Sequence, residues 1–236
     1  MKHYFLLLLL IGCIASGRAE SGWKAHWINT ERCQSATNTW LAFRKTVHID
    51  KVPQTLTARI AADSKYWLWI NGRLVVFEGG LKRGPSPYDT YYDPVEIAPY
   101  LQSGENTIAV LVWHFGKSGF SHVNSGLAAL LFEAVAPGIE IVSDKSWQCA
   151  VYEAYQNTDA PHPNYRLPES NIRFDARMEM SGWNRPGYTG KMPNAEIISP
   201  VGVAPLGKLV ERPIPLWKDY GLKPYASVRR SAAGDT

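Results

Sequence analysis

Short runs of β-branched and aromatic residues, each closed by turn residues, follow one another from Trp40 onward. Such runs, in which apolar and polar positions tend to alternate, are typical of β-strands. They predict strands at about 40–49, 55–62, 65–70, 73–78, 107–113, 127–134, 139–142 and 147–152. Strands of this length and spacing build sandwiches. We therefore expect one all-β, antiparallel β-sandwich over residues 23–205, with under roughly a tenth of it in α-helix.

A tight hairpin is predicted where Asn71-Gly72 separates the runs KYWLWI and RLVVFE. Both turn residues tolerate the positive φ angles that a type I′ turn requires. Alternation along the first run places Trp67 and Trp69 on one face, opposite the other three apolar residues. Two exposed tryptophans are costly, so this face is expected to be covered or to be a binding surface.

The density of strand signals falls after Tyr152. Residues 153–190 hold four prolines, yet they also carry residues that are costly to leave in water: Tyr155, Tyr165, Leu167, Ile172, Phe174, Trp183 and Tyr188. We therefore predict a long, ordered loop excursion rather than a linker. Residues 206–236 are expected to form an extended tail or a linker.

The N-terminus has the layout of a secretory signal peptide over residues 1–19. Lys2 precedes an apolar run of about 11 residues, which is too short to span a bilayer because about 20 are needed. Cleavage would follow Ala19, but the sequence LIGC ending at Cys13 also fits a lipobox. The segment predicts a secreted or periplasmic protein, or an outer-membrane lipoprotein anchored through Cys13, and no later segment is apolar enough to cross a membrane.

The charge balance argues against nucleic acid as a partner. The chain has 25 Lys and Arg against 21 Asp and Glu, and its net charge of +4 falls to +2 if Lys2 and Arg18 leave with the signal peptide. Phosphate binding requires a stripe of basic residues, and none is present. With 45% hydrophobic and 19% charged residues, the chain is expected to be globular.

Two cysteines, Cys33 and Cys149, would remain after removal of the signal peptide. In an oxidising compartment they could form a disulfide, which would close a large loop. Two separate buried thiols are the alternative, because sequence alone does not place their Cα atoms within bonding distance.

No arrangement of residues in the sequence predicts catalysis. Inverting glycoside hydrolysis needs two carboxyl groups held about 6.5 to 9.5 Å apart. Asp89 and Asp93 are the acid pair beside aromatics, but Asp93 precedes Pro94 and is better explained as a turn residue. Asp175 is expected to pair with Arg177 rather than act as an acid. The segment WHFGKSGFSH lacks the GxSxG elbow that would expose a nucleophilic serine.

Aromatic residues in two loops predict a carbohydrate site. Sugar binding needs an aromatic face for the pyranose ring and polar groups directed at its hydroxyls. Loops 83–93 and 113–122 each follow a strand and carry the candidate binding residues Arg83, Asp89, Tyr91, Tyr92, Trp113, His114 and His122. The alternative is that these aromatics pack the ends and the second face of the sheet. Oxygen-rich loops also suit calcium, for which Asp89 and Asp93 are the candidate ligands.

A succession of motifs extends over roughly residues 23–217. These motifs are Trp27-Ile28, WLAFRK, ARIAADSKYWLWINGRLV, YYDPVEIAPYLQSGENTIAVLVWHFG, SGLAALLFE, DKSW, RFDAR followed by Gly182-Trp183, and LVERPIP. Together they resemble the N-terminal region of bacterial alpha-L-rhamnosidases. The resemblance implies a galactose-binding-like, jelly-roll β-sandwich, whereas the family's catalytic carboxylates lie in a helical (α/α)₆ barrel that follows it and hydrolyses terminal rhamnosides with inversion. Rhamnose-binding sandwiches similar to this one use calcium beside the sugar.

The sequence stops where that barrel would begin, so the resemblance predicts a chain without the family's catalytic domain. We expect a noncatalytic carbohydrate-binding or accessory domain of an alpha-L-rhamnosidase-like glycoside hydrolase, with rhamnose-containing glycans or pectin as ligands and a catalytic domain or subunit as a partner. Two alternatives are a structural packing scaffold for the missing barrel and a truncated glycosidase. Open apolar surface at LVERPIPLW, or at Trp67 and Trp69, would favour the scaffold.

Overall fold

The computed structural model describes residues 22–31, 36–81, 84–119, 122–158, 172–225 and 227. Their strands are β1 Trp27–Asn29, β2 Thr39–Ile49, β3 Thr57–Asp63, β4 Lys65–Ile70, β5 Arg73–Gly80, β6 Thr90–Glu96, β7 Gly104–His114, β8 Ala129–Ala136, β9 Ile139–Val142, β10 Gln148–Val151, β11 Tyr155–Asn157, β12 Ile172–Phe174, β13 Glu196–Ser199 and β14 Leu209–Glu211. Two 3₁₀ turns span Ala98–Tyr100 and Ala176–Met178. The described ranges contain no α-helix, and hence none that is long and apolar enough to cross a membrane. The predicted signal peptide, residues 1–19, lies outside them.

Two main sheets form a sandwich. The larger has the strand order β13-β1-β8-β3-β6-β14, with β9 beside β8, and the smaller has the order β10-β2-β7-β4-β5. Strands β11 and β12 form a separate ribbon. Among the described strands, β14 and β6 run parallel and the other paired strands are antiparallel. The all-β antiparallel sandwich is confirmed, with this parallel pair as an addition.

Alternating positions on the facing strands build the core between the sheets. On β4, Tyr66, Leu68 and Ile70 are fully buried, as the sequence pattern requires for one face of a strand. Burying one large apolar side chain contributes about 1.5–3 kcal/mol relative to leaving it exposed. The same cluster includes Ile28, Leu41, Phe43, Ile60, Val110, Val112, Leu130, Phe132 and Trp147, which come from both sheets.

The predicted hairpin turn is present between β4 and β5. Asn71 has a φ of 53° and Gly72 a φ of 78°, which are the positive angles of a type I′ turn. The Asn71 side chain also ties the turn to its neighbours, because its Oδ1 accepts from the Thr107 amide at 2.9 Å and its Nδ2 donates to the Tyr100 carbonyl at 3.1 Å. The local turn chemistry therefore agrees with the position of the hairpin in the sheet.

Aromatic side chains cover the outer face of the smaller sheet. The Trp40 ring stacks on Trp67, Trp113 and Tyr155, with centroid separations of 5.3, 4.6 and 4.0 Å. Trp69 meets Trp183 edge to face at 5.9 Å. Because Tyr155 and Trp183 belong to the predicted excursion, its described part packs on the tryptophan face. The face that carries Trp67 and Trp69 is thus covered, which is the first of the two outcomes expected from the sequence.

Strand β6 was not anticipated, since Asp93-Pro94 suggested a turn. Pro94 lies opposite Arg59 of β3, whereas the pairing of β6 with β14 ends at Tyr92. A proline has no backbone N–H, so it is tolerated where one side of the strand has no partner. The pairing with β14 also carries the sheet past residue 205, beyond the boundary expected between sandwich and tail.

Candidate functional site

A cavity of about 950 Å³ opens beside the end of β5, and we call it the loop-end cavity. It is lined by Glu78, Gly80, Leu81, Gly119, His122, Val123, Arg212, Ile214, Pro215, Leu216, Trp217, Lys218 and Tyr220. Gly119 and His122 belong to the predicted loop 113–122, whereas no residue of the predicted loop 83–93 lines the cavity. The fold therefore brings one of the two loops to this cavity, with the segment after β14 as a further wall.

A buried ion pair lies at this cavity. Arg212 Nε donates to Asp93 Oδ1, and the two side chains are 8% and 2% exposed. The second oxygen of Asp93 accepts from the Tyr66 hydroxyl at 2.9 Å and from the Gly80 amide at 3.1 Å. Arg212 Nη2 has no hydrogen-bond partner among the described residues. The pair is thus well satisfied on the carboxylate side and keeps one unpaired donor on the guanidinium.

The same contacts hold Tyr66 in its neutral form. Burial first, and the Asp93 carboxylate second, keep the pKa of Tyr66 well above its usual range. The hydroxyl therefore stays protonated and can donate to Asp93. Removal of Asp93 would leave both a buried phenol and a buried guanidinium without this acceptor.

A second buried polar cluster joins β3, Ser64 directly after that strand, and β7 to the loop that ends at His122. His114 Nδ1 lies 3.3 Å and His122 Nε2 3.4 Å from Asp63 Oδ1. Ser64 Oγ donates to Asp63 Oδ1 at 2.9 Å, while the other Asp63 oxygen accepts from the Ser125 amide at 2.9 Å. His122 Nδ1 contacts the Leu81 carbonyl. This cluster connects the loops that border the cavity.

Asp63 is ionised within the cluster. Burial alone would raise its pKa, but hydrogen bonds and charge interactions with His114 and His122 outweigh burial and hold the pKa well below its usual range. A buried carboxylate with this many donors is stable only while its partners are present. The cluster is therefore a structural anchor for the cavity wall.

Ser64, His122 and Asp63 do not form a hydrolytic triad. In such a triad one imidazole nitrogen faces the serine and the other faces the carboxylate. Here His122 Nε2 faces both Ser64, at 3.1 Å, and Asp63, while Nδ1 faces a carbonyl oxygen. Ser64 is 1% exposed. Ser64 lies outside WHFGKSGFSH, so the expectation about the serines of that segment stays a prediction.

The structure corrects the predicted role of Trp113 and His114. Trp113 is 4% exposed, stacks on Trp40, and donates from Nε1 to Asn38 at 2.8 Å. His114 is fully buried. Neither presents an open face to a pyranose, because both side chains point into packed parts of the sandwich. Here the alternative of aromatic packing applies.

The other predicted binding residues have mixed positions. Tyr91 is half-buried, with the Arg212 guanidinium 5.3 Å from its ring centroid, so it lies next to the loop-end cavity. Tyr92 instead packs edge to face on Trp23 at 5.2 Å and donates to Glu211 at 3.1 Å. His122 lines the cavity. Arg83 lies outside the described residues, so its role stays a prediction.

The calcium site is not supported at Asp93. Both oxygens of Asp93 are engaged by Arg212, Tyr66 and Gly80, so an ion would have to displace the guanidinium. Asp89 accepts from Ser86 Oγ at 2.9 Å. Within the described residues no group of three or more His, Cys, Asp or Glu side chains could hold a metal ion. A calcium role for Asp89 remains a prediction.

Two further expectations concern Asp175 and the cysteines. Asp175 pairs with Arg177 at 2.6 Å, so the predicted ion pair is present, but it is local and Arg177 is exposed. Hydrogen bonds from Arg177 lower the pKa of Asp175.

Cys149 is buried in the core, whereas Cys33 lies outside the described residues. The disulfide therefore stays a prediction.

Four residues of the cavity wall were not predicted from the sequence as binding residues: Arg212, Glu78, Trp217 and Tyr220. Arg212 is 119 residues away from Asp93, and no local pattern shows that distant strands place the two side chains together. The signal that was available is LVERPIPLW, which includes Arg212 and Trp217 and was noted for its resemblance and as a possible apolar interface, not as a binding site.

Known structures share this sandwich. The GH78 family rhamnosidase of Bacillus sp. GL1 has a TM-score of 0.72 and 32% identity, over 82% of this chain and 20% of that protein. The alpha-L-rhamnosidases of Dictyoglumus thermophilum and Aspergillus terreus have TM-scores of 0.61 and 0.59 at 22% and 21% identity. They cover 84% and 75% of this chain, and 23% and 21% of their own length.

The chain thus spans about a fifth of the length of the rhamnosidases that it matches. No family model matches the sequence, and no curated protein matches it either. The assignment depends on the sandwich itself and on the identity to the Bacillus enzyme. The described chain is a β-sandwich domain that corresponds to about one fifth of a GH78 family alpha-L-rhamnosidase.

Proposed function

We propose that this chain is a noncatalytic, carbohydrate-binding accessory domain of a rhamnosidase-like protein, and that it binds a glycan in the loop-end cavity. The observation that carries the proposal is the composition of the cavity wall. Exposed aromatic rings and buried polar groups line the same space of about 950 Å³. This volume lies in the range of small-molecule sites, about 300–1,000 Å³.

The aromatic wall supplies the contact that a pyranose ring needs. Trp217 and Tyr220 are 74% and 73% exposed, so their ring faces are open to a ligand. An aromatic face buries the apolar C–H surface of a sugar, while its hydroxyls require donors and acceptors. Arg212 and Glu78 line the same cavity, so a charged donor group and a charged acceptor group lie near these rings.

Rhamnose-containing glycans or pectin are the proposed ligands, since the matched structures are named rhamnosidases. A secreted or periplasmic location, or a lipid anchor at Cys13, agrees with such a ligand and with the signal layout of residues 1–19. Because Trp217 and Tyr220 are largely exposed, we expect the site to bind weakly, in the high micromolar to millimolar range.

Titration of the protein with rhamnose and with rhamnose-rich pectin fragments, followed by amide chemical shifts, tests the proposal. Trp217→Ala is expected to weaken binding about tenfold, because loss of a stacking ring removes on the order of 1–2 kcal/mol. Tyr225→Ala is the matched control, since Tyr225 is 90% exposed in the same segment and does not line the cavity. An equal effect of both variants, or no response to any sugar at tens of millimolar, would contradict it.

Two additions to the titration examine the remaining expectations. Repeating it with calcium and with a chelator tests Asp89 as a ligand. Incubation of the pure protein with an aryl rhamnoside tests catalysis, and we expect no turnover. Turnover that a single Asp or Glu substitution abolishes would show an enzyme instead.

A packing scaffold is the second candidate, and the segment after β14 favours it. Ile214 is 65% exposed, Leu222 is fully exposed, and Tyr225 is 90% exposed. Exposed apolar residues in one segment are typical of an interface that another domain covers. Under this hypothesis Leu222→Asp lowers self-association, measured by sedimentation, and leaves rhamnose binding unchanged. Unchanged self-association would argue against it.

A further inference from the structure

A second cleft, of about 720 Å³, lies between the outer face of the smaller sheet and the segment 188–193. We call it the Arg44 cleft. It is lined by Arg44, Thr46, Gln148, Tyr188, Thr189, Gly190, Lys191, Met192 and Pro193. None of these residues lines the loop-end cavity, and none of them was singled out in the sequence as a binding residue.

Arg44 is a buried cation without a carboxylate partner. The residue is 4% exposed, and no carboxylate of the described residues lies within ion-pair distance of it. Its Nη2 donates to the Arg185 carbonyl at 3.3 Å and makes a long contact of 3.5 Å to Thr107 Oγ1. Nη1 has no partner in the described part of the chain. Buried charges are otherwise paired in proteins, so this guanidinium calls for an anion.

Two other part-buried arginines of the described chain each have a carboxylate partner. Arg212 pairs with Asp93, and Arg59 pairs with Glu133. Burial lowers the pKa of Arg44, and the more distant Glu105 partly offsets that effect. The guanidinium nevertheless keeps its proton at neutral pH, because its ordinary pKa is so high. The floor of the cleft is therefore positively charged.

The rest of the lining has the chemistry of a site for an acidic sugar. Lys191 adds a second positive charge, and no Asp or Glu lines the cleft. Thr46, Thr189 and Gln148 offer side-chain groups that pair with hydroxyls. The Tyr188 ring lies 5.7 Å from the Arg44 guanidinium, so an aromatic surface stands beside the charge. The cleft is also much larger than a simple anion such as acetate needs.

We propose that the Arg44 cleft binds a uronic acid, that is, a pyranose with a carboxylate, whose charge pairs with Arg44 and Lys191 while its ring lies against Tyr188. A guanidinium suits a planar carboxylate because it donates from two nitrogens in one plane. The proposal goes beyond the loop-end cavity, and it does not require that cavity to bind a sugar.

Galacturonate, galactose and acetate are the probes, added separately to the whole chain while the amide shifts of the cleft residues are recorded. Galactose has the same ring with a CH₂OH in place of the carboxylate, and acetate has the carboxylate without the ring. Galacturonate is expected to shift the amides of Thr46, Gln148 and Gly190, with the other two probes at least about tenfold weaker. Binding should weaken as salt concentration rises.

Two substitutions test the residues. Arg44→Met is expected to weaken galacturonate binding at least about tenfold, and Lys191→Met, at an exposed position that folding does not require, about threefold. Arg73→Met is the matched control, because Arg73 is exposed and packs on Tyr100 outside the cleft. Binding that survives Arg44→Met, or equal binding of acetate and galacturonate, would overturn the proposal.

The proposals for the loop-end cavity and for the Arg44 cleft can be refuted independently. Trp217→Ala should leave galacturonate binding at the cleft unchanged, and Arg44→Met should leave rhamnose binding at the loop-end cavity unchanged. A wild-type protein that binds galacturonate but not rhamnose would refute the proposed function, and one that binds rhamnose but not galacturonate would refute this inference.

Discussion

Arg212 and Arg44 are both buried, yet their surroundings differ in one respect. Arg212 faces Asp93, whose oxygens also accept from Tyr66 and Gly80. Arg44 has carbonyl and hydroxyl acceptors but no carboxylate partner among the described residues. Each guanidinium has one nitrogen without a partner, but Arg212 has a carboxylate counter-charge, whereas no carboxylate of the described residues lies within ion-pair distance of Arg44.

This difference indicates what each arginine does. A completed ion pair costs stability when one partner is removed, because the other charge is left buried. An unpaired buried cation has already incurred that desolvation cost, so removing it need not destabilise the fold. We infer that Arg212 stabilises the sandwich at the cavity, and that Arg44 contributes little to stability and is available to pair with the anion proposed above.

Among the substitutions compared, Arg212→Met is expected to cause the largest loss of stability. The variant leaves the buried Asp93 side chain with the Tyr66 hydroxyl and the Gly80 amide as its donors. We expect a loss of about 3–5 kcal/mol in the free energy of unfolding, measured by urea denaturation. Arg212→Lys keeps a charge and should lose less. A loss below about 1 kcal/mol would show that Asp93 does not depend on the guanidinium.

Asp63→Asn removes the carboxylate from the buried polar cluster that Asp63 forms with His114 and His122. We expect a loss of about 2–3 kcal/mol at pH 7, because His114 and His122 lose their carboxylate. The folded pKa of Asp63 is depressed, so its stabilisation is present above the unfolded pKa of about 3.9 and is lost as pH falls below it.

The stability difference between wild type and Asp63→Asn should therefore shrink as pH decreases from 7 to 3. Thermal melts at several pH values measure it. Ser125→Ala is a control that keeps the carboxylate, since Ser125 donates to Asp63 through its backbone amide. A difference that stays constant with pH would mean that Asp63 is not ionised in the fold.

Gly72→Val alters the hairpin turn beside Arg185, the residue that accepts a hydrogen bond from Arg44. A Cβ at Gly72 would lie 2.8 Å from Cγ of Arg185, whose carbonyl accepts from Arg44. The positive φ of 78° resists a β-branched residue, and we expect a loss of about 1–2 kcal/mol in thermal melts. Gly126→Val is the control, because its φ is also positive and nothing lies within 4 Å. An unchanged melt would place the turn elsewhere.

Arg44→Met is expected to have the smallest effect on stability. Replacing an unpaired buried cation with an apolar side chain of similar length should change the free energy of unfolding by no more than about 1 kcal/mol in either direction. Urea denaturation without ligand measures it, with Arg212→Met as the reference. A loss above about 2 kcal/mol would show that Arg44 is structural after all, and the contrast between the two arginines would disappear.

Local features of the fold could be predicted from the sequence. The hairpin follows from Asn71-Gly72, because few residue pairs adopt two consecutive positive φ angles. The burial of Tyr66, Leu68 and Ile70 follows from alternation along one strand. The expectation that the Trp67 and Trp69 face is either covered or a binding surface follows from the cost of exposing it, and the structure shows that it is covered. Each of these inferences depends on neighbours in the chain.

Strand β6 shows where local reasoning failed. Proline disfavours a strand unless one side of the strand lacks a partner, and that condition is set by where β14 stops pairing. The prediction that Trp113 binds a sugar was wrong for a related reason. Its place at the start of loop 113–122 suggested an open ring, whereas Trp40 stacks on that ring. In both cases a distant segment decided the environment.

The sequence by itself determined the all-β class, the hairpin and the faces of its strands, because turn residues and a period of two act over a few positions. Only the tertiary structure decided which charges meet. Asp93 and Arg212 are 119 residues apart, and the pairing of β14 with β6 brings them together. Arg44 is left without a carboxylate by the same folding, because the charge of a side chain is local but its partner is supplied by the packing of distant strands.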